Sequence, residues 1–180
     1  MTTQRIGKYA CLELERKYLL STIPDSLRHT SDGWLITDRY LPDTRLRLRH
    51  MRSIAGNESI FKLTQKYRAR GQAAIESTIT NLYLTEGEHS ILANPDARIV
   101  EKVRHPYSEA GCSFSIDVFQ GRHRGLILAE VELESASAID EVSDKPSFAL
   151  RDVTEEPFFL GGRLAMLSEA EFSRGLSRFL

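Results

Sequence analysis

Apolar and polar residues alternate with period two through much of this chain. Leu12–Leu20 reads LELERKYLL, which is a strand signature. Pro24 ends it, and a short helix or turn over Asp25–Thr30 follows. The next strands are predicted at Gly33–Leu41 and Thr44–Met51, joined by a Pro42-Asp43 turn. After a turn at Ala55-Gly56-Asn57 come strands at Ser59–Arg68 and Ala74–Tyr83. Thr85–Ala93 is predicted helical, because Thr85 followed by Glu88 makes a capping box. Arg98–His105, Ser113–Phe119 and Leu126–Leu133 are the remaining strands, with a turn at Gly121–Gly125. Ser135–Val142 reads as helix or loop. Leu164–Leu180 spaces Leu164, Leu167, Phe172, Leu176 and Phe179 as an amphipathic helix. Short turns favour antiparallel neighbours. About eight such strands predict an α+β fold on a large sheet or barrel.

The polar face of these strands is more specific than a solvated face needs to be. Glu13, Glu15 and Lys17 share one face, as do Arg45, Arg47 and Arg49. Lys62, Thr64 and Lys66 share another, then Glu76, Thr78 and Thr80, then Lys102 and Arg104, and Glu130, Glu132 and Glu134, with Asp117 on the strand between. One charged stripe is ordinarily a solvated face. Six stripes sorted by sign are not, because like charges two residues apart repel and exposed faces mix signs. Cationic stripes are compensated by a polyanion and acidic ones by divalent cations, so together they describe a cavity for a metal-bound polyphosphate. If the sheet closes, period-two residues point into the lumen. The apolar alternates, such as Leu12, Leu14, Leu48, Leu63, Val118 and Val131, then point outward under a coat of helices.

Composition narrows the class. The 180 residues suit one domain, taken as 1–180 with the C-terminal helix included. The 24 basic and 25 acidic residues leave a net charge of −1, which excludes a global field for nucleic acid or an anionic membrane. The hydrophobic share of 41% is that of a globular protein. No stretch approaches the roughly 20 apolar residues of a membrane span, and MTTQRIGKYACLELERKYLL has no signal-peptide core. Cys11 and Cys112 form no CxxC; one disulfide stays open, and a reduced cytoplasmic chain is the simpler reading.

The stretch Glu13-Leu14-Glu15-Arg16-Lys17 is an ExExK motif, and it resembles the signature of the CYTH superfamily, the triphosphate tunnel metalloenzymes. The resemblance continues in order through LRLR at Leu46–Arg49, KLTQK at Lys62–Lys66, Glu76, EKVR at Glu101–Arg104, Asp117, AEVEL at Ala129–Leu133 and DVT at Asp152–Thr154. It implies a closed eight-stranded antiparallel β-barrel, a tunnel binding a triphosphate with Mg²⁺ or Mn²⁺, and helices outside. Members hydrolyse inorganic triphosphate or small organic triphosphates, and some cyclise ATP. By matching position, Glu13, Glu15, Glu130 and Glu132 would hold metal, and Lys17, Arg47, Arg49, Lys66, Lys102 and Arg104 would grip phosphate. Glu15, Lys17 and Glu130 would form the catalytic group, and Glu76 and Asp117 a supporting acidic wall. Two departures stand out: Thr78 where many members carry a second Glu, and Phe159-Leu160-Gly161-Gly162 where many have Tyr-Ser-Asn.

Hydrolysis of a triphosphate ranks first, since positioning and charge neutralisation dominate phosphoryl transfer. Adenylate cyclisation of the class IV type ranks lower, because nothing reads a purine ring. A non-catalytic polyphosphate or nucleotide receptor has little use for paired carboxylates on facing strands. No aromatic platform accompanies the bases, which argues against nucleic acid. An apolar-coated barrel offers surface for a homodimer. Other polar residues carry blander readings: Arg45 at the mouth, Lys62 peripheral, Tyr40 in core or mouth, Trp34 packed, His50 and His105 capping or on the surface.

Overall fold

A computed structural model describes residues 7–68, 72–133 and 145–180. Its strands are β1 (Cys11–Leu19), β2 (Trp34–Tyr40), β3 (Leu46–Ser53), β4 (Ser59–Tyr67), β5 (Glu76–Leu84), β6 (Arg98–Glu109), β7 (Cys112–Phe119), β8 (Ile127–Leu133) and β9 (Arg151–Asp152). The helices are α1 (Glu86–Leu92), α2 (Gly161–Met166) and α3 (Glu169–Leu176). The sheet order is β5-β4-β3-β2-β6-β7-β8-β1-β9, and pairing of β5 with β1 closes the first eight strands into an antiparallel barrel. Leu14–Leu19 of β1 pair with β8, and Cys11–Leu14 pair with β5. Beyond Glu76 the edge passes to β9, which takes Tyr18 and Leu19.

Gly33 is required where β2 begins. Its φ is +152°, and a Cβ there would stand 2.7 Å from the Arg104 carbonyl oxygen. Only a residue without a side chain lets β2 start this close to β6.

Charged positions face the lumen, and apolar ones lie on the outer wall. Against β1, β7 and β8 the outer core gathers Leu14, Tyr18, Phe114, Ile116, Ala129 and Val131. The chain around Phe148 and Ala149 covers it, rather than the helical coat expected. Coverage is incomplete, since Leu12 stays 59% exposed.

The lumen is also not polar throughout. At one end the inward stripes of β1, β6, β7 and β8 turn apolar: Leu19 after Lys17, Val100 before Lys102, Phe119 after Asp117, Leu128 before Glu130. These four join Phe159, Leu164, Phe172 and Leu176 in a second core, so α2 and α3 seal that end. His123 is buried beneath the seal, its Nε2 2.9 Å from the Leu164 carbonyl.

The expected single helix over Leu164–Leu180 is two helices. Leu167 and Ser168 are extended, and Ser168 starts α3 with a capping box. The Glu171 N–H donates to Ser168 Oγ at 3.3 Å, and the Ser168 N–H donates to the Glu171 carboxylate at 2.9 Å. The Thr85–Glu88 capping box of α1 is present as expected. Glu134 and the Ser135–Val142 segment lie outside the described residues. Both cysteines are free thiols. Among the described residues no helix is long and apolar enough to cross a membrane.

Candidate active site

Register decides which side chains meet. The β1–β8 ladder sets Lys17 opposite Glu130 and Glu15 opposite Glu132, and residues directly opposite share a face. Lys102 and Arg104 enter from β6, Arg47 and Arg49 from β3, and Lys66 from β4. These residues, with Glu13, line one tunnel cavity of about 520 Å³. Ten of the eleven predicted groups on β1, β3, β4, β6, β7 and β8 therefore line it. The eleventh, Asp117, is on the same inward face, opposite Arg104, and is fully buried beneath Lys102 and Arg104.

Glu76 is the correction. The β1–β5 register puts Glu13 opposite Ser77, so Ser77, Ile79 and Asn81 face the lumen while Glu76 and Thr78 face the other side. A one-residue offset exchanges the two faces of a strand. The Glu76 carboxylate accepts the Ala73 N–H at 3.3 Å in the β4–β5 connection.

The cations are bound to carboxylates of the same wall. Lys17 Nζ donates to Glu130 Oε1 at 2.7 Å and also to Glu15. Lys66 Nζ donates to Glu15 Oε2 at 2.8 Å and pairs with Glu13. The Arg104 fork meets Asp117 with two bonds of 2.7 Å and reaches Glu130 as well. The Arg49 fork holds Asp38 at 2.6 and 2.7 Å.

Burial works against every one of these charges, and neighbours decide the result. At Lys17 burial is outweighed by Glu130 and Glu15, so its ammonium is held above the ordinary lysine range. At Lys102 burial prevails over Asp117, with Arg104 and Arg49 adding to it, and its affinity for the proton falls. Against burial, Lys17, Lys102 and Arg104 hold the Glu130 carboxyl well below the carboxylate range. Arg47 and Arg49 do the same for Asp38. Glu132 moves the other way: partial burial, then Glu13 and Glu15 beside it, push its carboxyl up.

Asp38 was not among the candidates read from sequence. It is 2% exposed, and it anchors both β3 arginines. The signal was faint: one carboxylate on the otherwise non-acidic face Trp34, Ile36, Asp38, Tyr40. Tyr40, Thr64 and Asn81 also belong to the site. Arg47 Nη2 donates to Thr64 Oγ1 at 3.3 Å, and that hydroxyl donates to Asn81 Oδ1 at 2.7 Å. Arg45 and Lys62 line the cavity, each lying over a tyrosine ring, Tyr67 and Tyr83 respectively. His50 stacks on Phe61, outside the cavity. His105 is buried rather than superficial, its Nδ1 2.7 Å from the Asp32 carbonyl oxygen.

The donor set suits a hard divalent cation. Among the described residues no three carboxylate, imidazole or thiol groups stand ready as a cage. The acidic donors are oxygens only; partial burial and then repulsion from Glu13 and Glu15 push the Glu132 carboxyl up, and a cation between these carboxylates would relieve that repulsion. Mg²⁺-type ions take one or two carboxylates and complete their shell with substrate phosphates and water. The set Glu13, Glu15, Glu130 and Glu132 fits that demand.

The chain is 29% identical over 159 residues to an inorganic triphosphatase of Nitrosomonas europaea, covering 86% of this chain and 97% of that protein. It is 24% identical over 164 residues to an inorganic triphosphatase of Acetivibrio thermocellus, covering 84% and 92%. The crystal structure of the inorganic triphosphatase NE1496 superposes with a TM-score of 0.57 at 27% identity, covering 87% of this chain and 95% of that one. No protein-family profile matches the chain.

Proposed function

We propose that the chain is a member of the CYTH superfamily, the triphosphate tunnel metalloenzymes, and that it hydrolyses inorganic tripolyphosphate with Mg²⁺ or Mn²⁺. The observation that carries this reading is the meeting of two sorted sets in one tunnel. Arg47, Arg49, Lys66, Lys102 and Arg104 form the cationic wall; Glu13, Glu15, Glu130 and Glu132 form the acidic one.

Arginine forks match phosphate oxygens bidentately, and lysines act as point charges. Lys17, Lys66, Lys102, Arg49 and Arg104 each spend part of their hydrogen-bonding capacity on a carboxylate, which fixes their positions before substrate arrives. Lys17 is the junction, tied to both Glu15 and Glu130. It places one charge against the scissile phosphate while the two carboxylates orient water. Glu13, Glu15, Glu130 and Glu132 would hold the cation. When bound, it neutralises charge on the phosphates and on the leaving group. A phosphate that takes Lys66 and Lys17 frees the same carboxylates for the cation, so substrate and metal support each other's binding.

Phosphate release should be measured from tripolyphosphate, thiamine triphosphate, ATP and GTP, with and without each metal. Tripolyphosphate with a divalent cation is expected to be the best substrate. Glu15→Gln keeps a neutral hydrogen-bonding group beside Lys17 and Lys66. It is expected to lower turnover by about 100-fold or more while the protein stays folded. Undiminished metal-dependent turnover in that variant overturns the assignment.

A further inference from the structure

Arg47 is less firmly anchored than its neighbour. Arg49 takes both oxygens of Asp38 at 2.6 and 2.7 Å, whereas Arg47 Nε reaches Asp38 only at 3.5 Å. Its bond to Thr64 is long, 3.3 Å, and Thr64 has committed its own proton to Asn81. Bonds at such distances are weak. A third group is placed to restrain it. The β2–β3 register sets Tyr40 directly opposite Arg47, so the two side chains share one face and line the same cavity.

The other side of Tyr40 belongs to a different part of the protein. Its ring packs on the core formed with Phe159, Leu164 and Ala165. Gly161 at the start of α2 faces its hydroxyl so closely that an added Cβ would overlap Tyr40 Oη and stand 3.0 Å from Cζ. At Gly162 the same atom would make only ordinary contact with the ring. Tyr40 thus spans from the C-terminal helices to a cation of the tunnel wall.

We propose that Tyr40 is a positioning residue that holds the Arg47 guanidinium toward phosphate, and that the missing side chain of Gly161 is what lets its hydroxyl reach there. This rests on the triphosphatase reading and deepens it. The C-terminal segment then sets the tunnel's grip on substrate as well as sealing its end. Burial, with Asp38 nearby, pushes the Tyr40 phenol up, so it stays a neutral hydroxyl.

Tyr40→Phe retains the ring against α2 and removes only the hydroxyl. Titration calorimetry with tripolyphosphate in EDTA, where metal-dependent turnover is absent, is expected to show affinity reduced by about tenfold, the size of one hydrogen bond to a charged group. In steady state KM rises with kcat nearly unchanged, because the loss is shared by ground and transition states. A purely structural role would instead lower the melting temperature and leave KM alone. In an Arg47→Lys background, Tyr40→Phe is expected to add nothing. Gly161→Ala, which pushes the hydroxyl aside, is expected to weaken binding in the same direction. Wild-type turnover combined with unchanged affinity in Tyr40→Phe overturns the positioning role and leaves the triphosphatase reading standing. Failure of the wild type to bind or hydrolyse tripolyphosphate overturns both.

Discussion

Glu132 stands opposite Glu15, and partial burial, with Glu13, Glu15 and its strand neighbour Glu130, shifts its carboxyl upward. Ionisation of a group held above its free value of about 4.3 opposes folding once the pH exceeds that range. Glu132→Gln is therefore expected to melt higher than wild type at pH 7. The gap should close as the pH falls below about 4, where the wild-type carboxyl is neutral in both folded and unfolded chains. The same substitution should shrink the rise in melting temperature that Mg²⁺ produces in the wild type. Thermal melts across pH, with and without Mg²⁺, read both effects. Residues such as Glu132, Arg47 and Lys102 were legible because each stripe repeats one chemistry at spacing two. Asp38 was not, since its face is otherwise Trp34, Ile36 and Tyr40, and only the partner strand reveals that Arg49 stands opposite.

At the scale of elements, strands were read more reliably than ends. Apolar periodicity runs through Leu164, Leu167, Phe172 and Leu176 without a break, so it predicts one helix. The break comes from local chemistry at Ser168, whose side chain and Glu171 satisfy each other's N–H groups. Ser168→Ala removes that cap and is expected to cost about 1 kcal/mol. For a chain of this size that is a fall in melting temperature of about 2–4 °C, measurable by calorimetry. Tripolyphosphate turnover at 25 °C should be nearly unchanged, because Phe172 and Leu176 still hold α3 on the seal. The two-residue strand β9 had no pattern to announce it. Glu76 illustrates the parity problem: alternation along β5 is plain, but which alternate faces inward depends on the register with β1.

The whole molecule stores charge in its interior, and that sets its response to pH. Asp38 and Glu130 have carboxyls held below their ordinary range. Groups of this kind stabilise the fold fully above the unfolded carboxylate values of about 4. That contribution is lost as the pH falls from there toward the lower folded values. Lys17 is held above its ordinary range, so its share persists through neutral pH and disappears only as the solution becomes strongly alkaline. The melting temperature is thus expected to be nearly flat from pH 6 to 9 and to fall steeply below about 4.5. Bound tripolyphosphate should raise the plateau. A melting temperature maintained down to pH 3 would contradict the ion-paired tunnel.

The sequence by itself determined that the chain alternates, that its polar alternates are sorted by charge, and that their order matches a triphosphate tunnel. Those are properties of neighbouring residues, and period two makes them local. Tertiary structure decided what locality cannot: that β5 and β1 meet to close the barrel, and that Ser77 rather than Glu76 faces the lumen. It also decided that the inward stripes turn apolar together at Leu19, Val100, Phe119 and Leu128, and that Tyr40 lies between Gly161 and Arg47. Each depends on register between strands distant in sequence. A register shift of one residue moves every side chain to the opposite face.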